Sequence, residues 1–327
     1  MSIFKGYDIR GIYKETITEK IASEIGSAFS TLLRKRNLKS NKLFIARDNR
    51  SSSPSLQAAV LESLLTAGFD VIDLGIVSTS LVQFAINRQK VAGACIITAS
   101  HNPAQYNGLK LYRGNLPLMS LEMAQLEKIY LSKKFYKAQN SGNSLNQQID
   151  SEYVDDIKKR VKLHRKLKVV IDSGNGTCGP VAHQLLEKLG CIVVSLFEDM
   201  GSAFLNHPAD PHNPANLKWL QEEVIRQKAN LGIAFDGDGD RAGFVDEKGN
   251  IIREDDVCVL FLKHELQKRK GAIIYDLRLS GSVPEQTKLL KGKAIISKAG
   301  RIAIRDNLIK NKALFGGEVS GHYFFSD

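Results

Sequence analysis

The chain has 327 residues, of which 43% are hydrophobic, and a formal net charge of +11 at pH 7. A chain of this length can bury several cores, so we expect two or three domains. Its apolar runs all fall short of the roughly 20 residues of a membrane helix, which argues against a membrane partner. The four cysteines are isolated and mostly in apolar settings, as is typical of buried free thiols in a cytoplasmic protein.

The excess of basic residues would also suit a nucleic-acid-binding protein. The densest basic run, residues 158–168, contains no aromatic side chain on which a base could stack. A solvated helix end fits this run better. A positive surface would also attract sugar phosphates, and we expect no nucleic acid as a partner.

The first part of the chain alternates predicted helices and strands. Apolar residues recur at helical spacing within residues 18–36, and residues 54–67 form a second predicted helix with proline at its start. Residues 42–46 predict a strand, and the near-continuous apolar run 91–97 is typical of a buried parallel strand. The polar stretch 138–148 indicates a linker, which places a domain boundary near residue 147.

A first candidate site follows the predicted strand 91–97, in the sequence Thr98-Ala99-Ser100-His101-Asn102-Pro103. Ser100 then lies at the carboxyl end of a strand, where open α/β sheets place their chemistry. In the simpler interpretation Ser100 and Asn102 only shape a turn. A serine hydrolase is disfavoured because the Gly-x-Ser-x-Gly elbow is absent. Lys110 is near enough in sequence to share the site.

A second candidate site follows a short apolar run, 231–235, that predicts a buried strand. Asp236, Asp238 and Asp240 come next, spaced two apart with a glycine in each gap, so that alternate side chains of an extended chain converge. Three carboxylates repel one another unless a cation lies between them. Oxygen ligands suit Mg²⁺, Mn²⁺ or Ca²⁺, and Arg241 would hold an anion that the ion also touches.

Two other motifs suggest different chemistry. The acidic triplet with Glu247 matches four ligand positions of a helix–loop–helix calcium loop. Arg241, however, occupies the position that needs glycine, and the flanking residues predict strands.

The sequence Gly174-Asn175-Gly176-Thr177-Cys178-Gly179, between a predicted strand and a predicted helix, fits the dinucleotide-binding fingerprint Gly-x-Gly-x-x-Gly. A strand–helix turn without nucleotide is the competing interpretation of that loop.

Four motifs in order resemble the α-D-phosphohexomutase family, and within it the phosphomannomutase/phosphoglucomutase group. They are Tyr7-Asp8-Ile9-Arg10-Gly11, the loop around Ser100, the acidic loop Asp236–Arg241, and Gly317-Glu318-Val319-Ser320-Gly321-His322. The segment Arg47–Pro54 also fits the family's first domain. The resemblance implies three consecutive mixed-sheet α/β domains around a central cleft, with bounds 1–147, 148–248 and 249–327.

The resemblance also implies the activity. Ser100 would carry a phosphoryl group, and Mg²⁺ would be bound by the three aspartates with an oxygen of the Ser100 phosphate. A bisphosphorylated sugar would form as the intermediate between hexose 1-phosphate and hexose 6-phosphate. His101 or Lys110 would act as the base, and Arg10 and Arg241 would complete the catalytic residues. The implied substrate-binding residues are Tyr7, Arg278, Arg301, Glu318, Ser320 and His322.

The chain departs from the family pattern at three places. Arg278 stands where the family often has lysine, and Arg301 where it often has histidine. The resemblance makes Gly317–His322 the sugar-binding loop, called the sugar loop below. Its Glu-x-Ser-Gly-His form resembles that of members accepting mannose and glucose phosphates, and aminosugar-phosphate mutases carry a similar loop. The chain stops within the third domain, so the fourth domain would be absent or supplied by a separate chain. The alternative is therefore a catalytically impaired remnant that binds metal and sugar phosphate without efficient turnover.

Overall fold

The computed structural model describes residues 3–36, 38–201 and 204–326. By its internal contacts the chain divides into two compact units. The first unit comprises residues 1–166, 173–209 and 236–239, and the second comprises residues 167–172, 210–235 and 240–327. No helix among the described residues is both long and apolar enough to cross a membrane.

The first unit is built on a mixed sheet with helices on both faces. The strands are β1 (Phe4–Lys5), β2 (Asp8–Ile12), β3 (Lys42–Arg47), β4 (Asp70–Ile76), β5 (Gly93–Ile97), β6 (Tyr106–Arg113), β7 (Leu116–Pro117) and β8 (Ser144–Asn146). They run in the order β1–β2–β6–β5–β3–β4–β8, with β7 beside β6. β3 is parallel to β4 and β5, and β8 is parallel to β4.

The helices of this region begin and end at recognisable signals. They are α1 (Glu19–Arg34), α2 (Ser53–Thr66), α3 (Thr79–Arg88), α4 (Ser120–Ser132) and α5 (Asp150–Arg160). The Thr18 side chain caps α1 by accepting a hydrogen bond from Ile21 N. Pro54 lies in the first turn of α2, and Gly68, in the left-handed region, follows its end. Both predicted helices are confirmed.

Alternation along the central strands divides the core between the two faces of the sheet. On β5, Cys95 and Ile97 pack with residues of α1 and α2, whereas Ala94 and Ile96 pack on the opposite face. Because side chains of a strand alternate between faces, a strand buried on both faces has to be apolar throughout. This accounts for the continuous apolar character of the strand that delivers Ser100.

The prediction that residues 138–148 form a linker is wrong for Ser144–Asn146. These residues form β8, which pairs in parallel with β4. All three residues of β8 are exposed. Backbone hydrogen bonds, rather than burial of apolar side chains, hold this edge strand. It therefore leaves no hydrophobic pattern in the sequence.

The middle of the chain adds a second mixed sheet. Its elements are β9 (Lys168–Asp172), α6 (Gly179–Lys188), β10 (Ile192–Leu196), a 3₁₀ turn (Pro214–Leu217), α7 (Lys218–Gln227), β11 (Leu231–Phe235), β12 (Ala242–Asp246) and β13 (Ile251–Ile252). β11 is parallel to β9 and antiparallel to β12. The strands predicted from the apolar run 231–235 and its downstream partner are confirmed.

The last part of the chain, within the second unit, forms a third sheet. Its elements are α8 (Glu254–Lys268), β14 (Ala272–Asp276), α9 (Ser282–Leu289), β15 (Lys293–Ser297), α10 (Arg301–Lys310), β16 (Phe315–Gly317) and β17 (Tyr323–Phe325). The strands run in the order β15–β14–β16–β17, and the core under them includes Leu262, Ile273 and Phe315. The fold is thus three α/β domains with mixed sheets, as expected from the sequence.

Candidate active site

Ser100 lies in the loop that joins β5 to β6. Its backbone adopts φ 55°, in the left-handed region, which costs a residue other than glycine about 1–2 kcal/mol. Its amide donates to Thr98 Oγ1 at 2.9 Å, and the residue is almost wholly buried. Such strain persists only where surrounding contacts hold the backbone, and it is commonest at functional sites.

The first unit brings Ser100 to the acidic loop. Ser100 Oγ donates to Asp236 Oδ2 at 2.6 Å, and His101 Nδ1 lies 3.3 Å from the same hydroxyl. Gly237 permits this approach, because a Cβ atom there would lie 2.6 Å from the Ser100 carbonyl oxygen. The sequence-predicted nucleophile and the first acidic residue are therefore direct neighbours.

The acidic loop turns sharply instead of continuing as extended backbone. Gly239 N donates to Asp236 O at 3.0 Å, and Gly239 has φ 67°. Through this turn the three aspartates each offer a carboxylate oxygen, and these atoms lie within 4.8 Å of one another. Convergence was expected from alternation along a strand, but a turn produces it. Three carboxylate oxygens so close together fit a divalent cation of the Mg²⁺ type.

Lys110, a candidate base, lies on the second carboxylate of this loop. Lys110 Nζ donates to Asp238 Oδ2 at 2.5 Å, and both side chains are buried. Thr79 Oγ1 donates to the same oxygen at 2.7 Å, and Thr98 Oγ1 lies 3.4 Å from it. Sequence reasoning missed Thr79, whose position at the start of α3 carries no catalytic signal.

Arg10, on β2, contacts residues 98–106, called the serine loop below. Its NH1 donates to Asn102 Oδ1 at 3.0 Å, and its NH2 donates to Asp8 Oδ2 at 2.9 Å. About a fifth of the Arg10 side chain is exposed. Tyr7, immediately before β2 and within the same motif as Arg10, is 36% exposed. The first motif thus places one cation beside the Ser100 loop.

Arg50 also contacts this loop, and sequence reasoning gave it no role. Its guanidinium donates to the carbonyl oxygens of Ser100 and Asn102, each at 2.7 Å. The motif Arg47–Pro54 was recognisable in the sequence. Nothing in it indicated which of its two arginines turns inward.

The sugar-loop residues form a second cluster, within the second unit. Glu318 Oε1 accepts from Gly300 N at 2.8 Å, and Glu318 Oε2 lies 2.9 Å from His322 Nδ1. Burial alone would raise the pKa of Glu318, but His322, the Gly300 amide and Ser320 together lower it. Burial likewise works against a charged His322, but Asp240 and Glu318 raise its pKa overall.

Cations predicted to bind substrate surround this cluster. Arg278 donates through Nε and NH2 to Asp276, and its NH2 lies 3.3 Å from Glu318 Oε1. Arg301, the first residue of α10, pairs with Asp240 at 3.7 Å. The Ser320 hydroxyl contacts His322 Nδ1 at 2.9 Å. Arg241 is half-buried in the same unit.

The glycine-rich loop 174–179 packs against the acidic loop. Thr177 N donates to Gly237 O at 3.1 Å, and a Cβ on Gly176 would lie 2.9 Å from that oxygen. Asn175 O in turn accepts from Asn49 Nδ2 at 2.6 Å. These contacts support the interpretation of this loop as a strand–helix turn. Its glycines are explained by close packing on another loop.

Comparison with known proteins gives consistent results over the whole chain. Domains I, II and III of the family described as phosphoglucomutase/phosphomannomutase, alpha/beta/alpha, match residues 1–137, 151–249 and 253–327. A phosphoglucomutase from Neisseria meningitidis serogroup A is 36% identical over 99% of this chain and 70% of its own length. A phosphomannomutase/phosphoglucomutase from Pseudomonas aeruginosa is 35% identical over 100% of this chain and 70% of its own.

A solved structure agrees with these relatives. A phosphoglucomutase/phosphomannomutase family protein from Burkholderia thailandensis is similar with a TM-score of 0.94 and 35% sequence identity. The match covers 99% of this chain and 72% of that chain. The chain therefore belongs to the phosphoglucomutase/phosphomannomutase family of hexose-phosphate mutases, which are isomerases.

Proposed function

We propose that this protein interconverts the 1-phosphate and 6-phosphate of mannose or glucose through a phosphoserine at Ser100 and a hexose 1,6-bisphosphate. The observation that carries the proposal is the 2.6 Å hydrogen bond between Ser100 Oγ and Asp236. It places the hydroxyl of Ser100, whose backbone lies in the left-handed region, on a three-carboxylate cluster. Membership of the family supplies the reaction class.

Each half of the reaction moves one phosphoryl group. A sugar hydroxyl oxygen attacks the phosphorus of phosphorylated Ser100, the bond from phosphorus to Ser100 Oγ breaks, and the sugar hydroxyl proton passes to a base. That proton passes on to the released Ser100 oxygen, and the bisphosphate reorients in the site. Ser100 Oγ then attacks the phosphorus of the other phosphoryl group, the bond from that phosphorus to the sugar oxygen breaks, and the sugar oxygen takes up the proton that Ser100 loses. Catalysis of such transfers depends mainly on positioning and on stabilising charge.

Asp236, Asp238 and Asp240 would hold a Mg²⁺ ion, together with an oxygen of the Ser100 phosphate. When bound, the ion would supply positive charge beside the phosphoryl group in transfer. Arg241 and Arg10 would add fixed positive charge. Arginine keeps this charge at any physiological pH.

Two groups compete for the role of base. His101 Nδ1 contacts Ser100 Oγ, whereas Lys110 Nζ is paired with Asp238. The variants His101→Gln and Lys110→Arg separate them, because arginine keeps the ion pair but cannot accept a proton. The variant that removes the base should lose about 10²–10⁴-fold in turnover, and the other should stay within about tenfold.

The sugar loop would bind the hydroxyls of the hexose ring in both orientations. A carboxylate can accept from two adjacent hydroxyls, so Glu318 is the stronger candidate and Ser320 the weaker one. Arg278 and Arg301 would bind the phosphate that is not in transfer, because a guanidinium matches phosphate geometry. Tyr7 and His322 complete the proposed substrate contacts.

The test is conversion of mannose 1-phosphate and glucose 1-phosphate to their 6-phosphates with Mg²⁺ and an activating bisphosphate. Turnover that disappears in Ser100→Ala supports the proposal. Binding of Mg²⁺ and sugar phosphate with turnover several orders of magnitude weaker than that of a relative supports the alternative, an impaired chain. Turnover unaffected by Ser100→Ala would contradict both.

A further inference from the structure

We propose that Arg50 is a positioning residue for phosphoryl transfer, and that its guanidinium sets the shape of the loop that carries Ser100. The inference rests on the proposed function, in which Ser100 accepts and donates the phosphoryl group. Arg50 belongs to the first unit and lies on the segment between β3 and α2, three residues before α2 begins. Its role would be exerted entirely through the backbone of residues 100–106.

All five N–H donors of the guanidinium have an acceptor in the first unit. Nε donates to Asp48 Oδ2 at 3.0 Å. The remaining four bonds go to backbone carbonyl oxygens of the serine loop, at distances of 2.7–3.0 Å, namely those of Ser100, Asn102, Pro103 and Tyr106. The planar fork of arginine can make five such bonds at fixed angles, whereas lysine has three donors on one nitrogen.

These four carbonyl groups determine which atoms of the loop face outward. Because they point at the guanidinium, the loop is folded around Arg50, and Ser100 Oγ is left to meet Asp236. The Ser100 backbone is held on both sides, since its amide donates to Thr98 Oγ1 and its carbonyl accepts from Arg50. A serine whose backbone lies in the left-handed region needs this kind of support from surrounding contacts.

Arg50 is itself rigidly placed. Its side chain is fully buried, and its guanidinium carbon lies 4.8 Å from the centre of the Phe204 ring. Asp48 accepts from the Arg50 backbone amide, from its Nε and from Ser53 Oγ. Burial lowers the pKa of Arg50, and the charge of Asp48 opposes this shift. A buried guanidinium paired in this way holds its position and does not reach out to a ligand.

A second arginine of the first unit provides a matched control. Arg34 also donates to a backbone carbonyl, Ala67 O, and to the side chain of Asn41. Its guanidinium carbon lies 3.8 Å from the centre of the Phe69 ring. Arg34 is half-buried and, among the described residues, lacks a carboxylate partner like that of Arg50, but it shares the bonds to a backbone carbonyl and the contact with a phenylalanine ring. None of these contacts is with the serine loop.

The experiment measures the rate at which a hexose 1,6-bisphosphate with Mg²⁺ phosphorylates Ser100, by quenched mass spectrometry of the whole chain. Wild type, Arg50→Lys and Arg34→Lys are compared at a temperature where circular dichroism shows each to be folded. We expect Arg50→Lys to lower the rate about 10–100-fold, because a shift of about 1 Å in a reacting atom can cost 10²-fold. Arg34→Lys should stay within about threefold, and Mg²⁺ affinity should change little in either variant.

The outcomes separate this inference from the proposed function. A wild-type chain that acquires no phosphate on Ser100 overturns the proposed function. A labelled wild type with Arg50→Lys as fast as Arg34→Lys overturns the positioning role alone. If Arg50→Lys does not fold, Asp48→Asn keeps Arg50 and removes its charged acceptor. A labelling rate at least threefold below wild type then supports the role, and an unchanged rate overturns it.

Discussion

Lys110 and Asp238 form a buried ion pair across 128 residues of sequence, with Nζ 2.5 Å from Oδ2 and side-chain exposures of 3% and 1%. Asp238 also accepts from Thr79. One carboxylate of the acidic cluster is therefore bonded to two side chains, Lys110 and Thr79, of the domain that carries Ser100. These bonds attach the acidic loop, which would bind the metal ion, to the domain whose sheet carries Ser100.

Replacing Asp238 with asparagine should weaken Mg²⁺ binding more than tenfold, because one of three carboxylates is lost. It should also destabilise the fold by about 3–5 kcal/mol, since Lys110 would be left buried without its counter-charge. Calorimetric Mg²⁺ titration and thermal unfolding measure the two effects. Glu247→Gln is the control, as this exposed residue would be a ligand only in a calcium loop of the helix–loop–helix type. Equal affinity in Asp238→Asn and wild type would refute the metal assignment.

Ser100 should carry a single phosphate after incubation with a hexose bisphosphate, because its hydroxyl lies on the acidic cluster. Intact-mass spectrometry with peptide mapping detects it, and Ser100→Ala should abolish it. Ser80 offers a matched control, since its hydroxyl donates to Gly239 O at 3.0 Å beside the same loop. Label that persists in Ser100→Ala, or that is lost in Ser80→Ala alone, would move the acceptor elsewhere.

Glu318→Gln should lower kcat/KM about 10–100-fold. A hydrogen bond to a charged group contributes about 1.5–3 kcal/mol, and about 1.4 kcal/mol corresponds to a factor of ten in rate. Ser320→Ala should have the smaller effect, because a neutral hydroxyl makes a weaker bond to a sugar. Steady-state kinetics with both sugar 1-phosphates measure the two variants. A larger loss for Ser320→Ala would exchange their roles.

The pair His183–Glu198 should make stability depend on pH. Burial lowers the pKa of His183, but Glu198 and Glu187 raise it overall; burial raises the pKa of Glu198, but Ser195 and His183 lower it overall. The histidine's contribution is present below its unfolded pKa near 6.5 and is lost as pH rises through its raised folded pKa. The glutamate's contribution is present above its unfolded pKa near 4.3 and is lost on acidification.

The destabilisation caused by His183→Gln should therefore be greatest near pH 5.5 and should fade by pH 9. Both side chains are about a third exposed, so the effect should be about 0.2–1 kcal/mol. Denaturant unfolding at the two pH values measures it. His164→Gln, in the predicted solvated run, is the control. A destabilisation by His183→Gln that is larger at pH 9 than at pH 5.5 would contradict a raised pKa for His183 in the folded state.

Local signals in the sequence identified several of the helices and strands. Apolar runs identified the strands before Ser100 and before Asp236, and proline and glycine marked the ends of α2. The prediction of a linker at residues 138–148 was wrong for β8, which is held by backbone hydrogen bonds and buries no side chain. A strand of this kind has no pattern of apolar residues to detect.

The sequence by itself identified the candidate loops of the site, because the serine, aspartate and glycine residues that define them follow predicted strands within a few positions of the chain. Only the tertiary structure decided how these groups are held. Arg50 is 50 residues from Ser100 and Lys110 is 128 residues from Asp238. Neither contact leaves a local trace in the sequence. Arg50 and Ser100 meet because the parallel strands β3 and β5 align their carboxyl ends. Lys110 lies on β6, which is antiparallel to β5, and contacts the loop that follows β11 of another sheet. The acceptors of Arg50 are backbone carbonyls, which every residue possesses, so no side-chain motif could have revealed them.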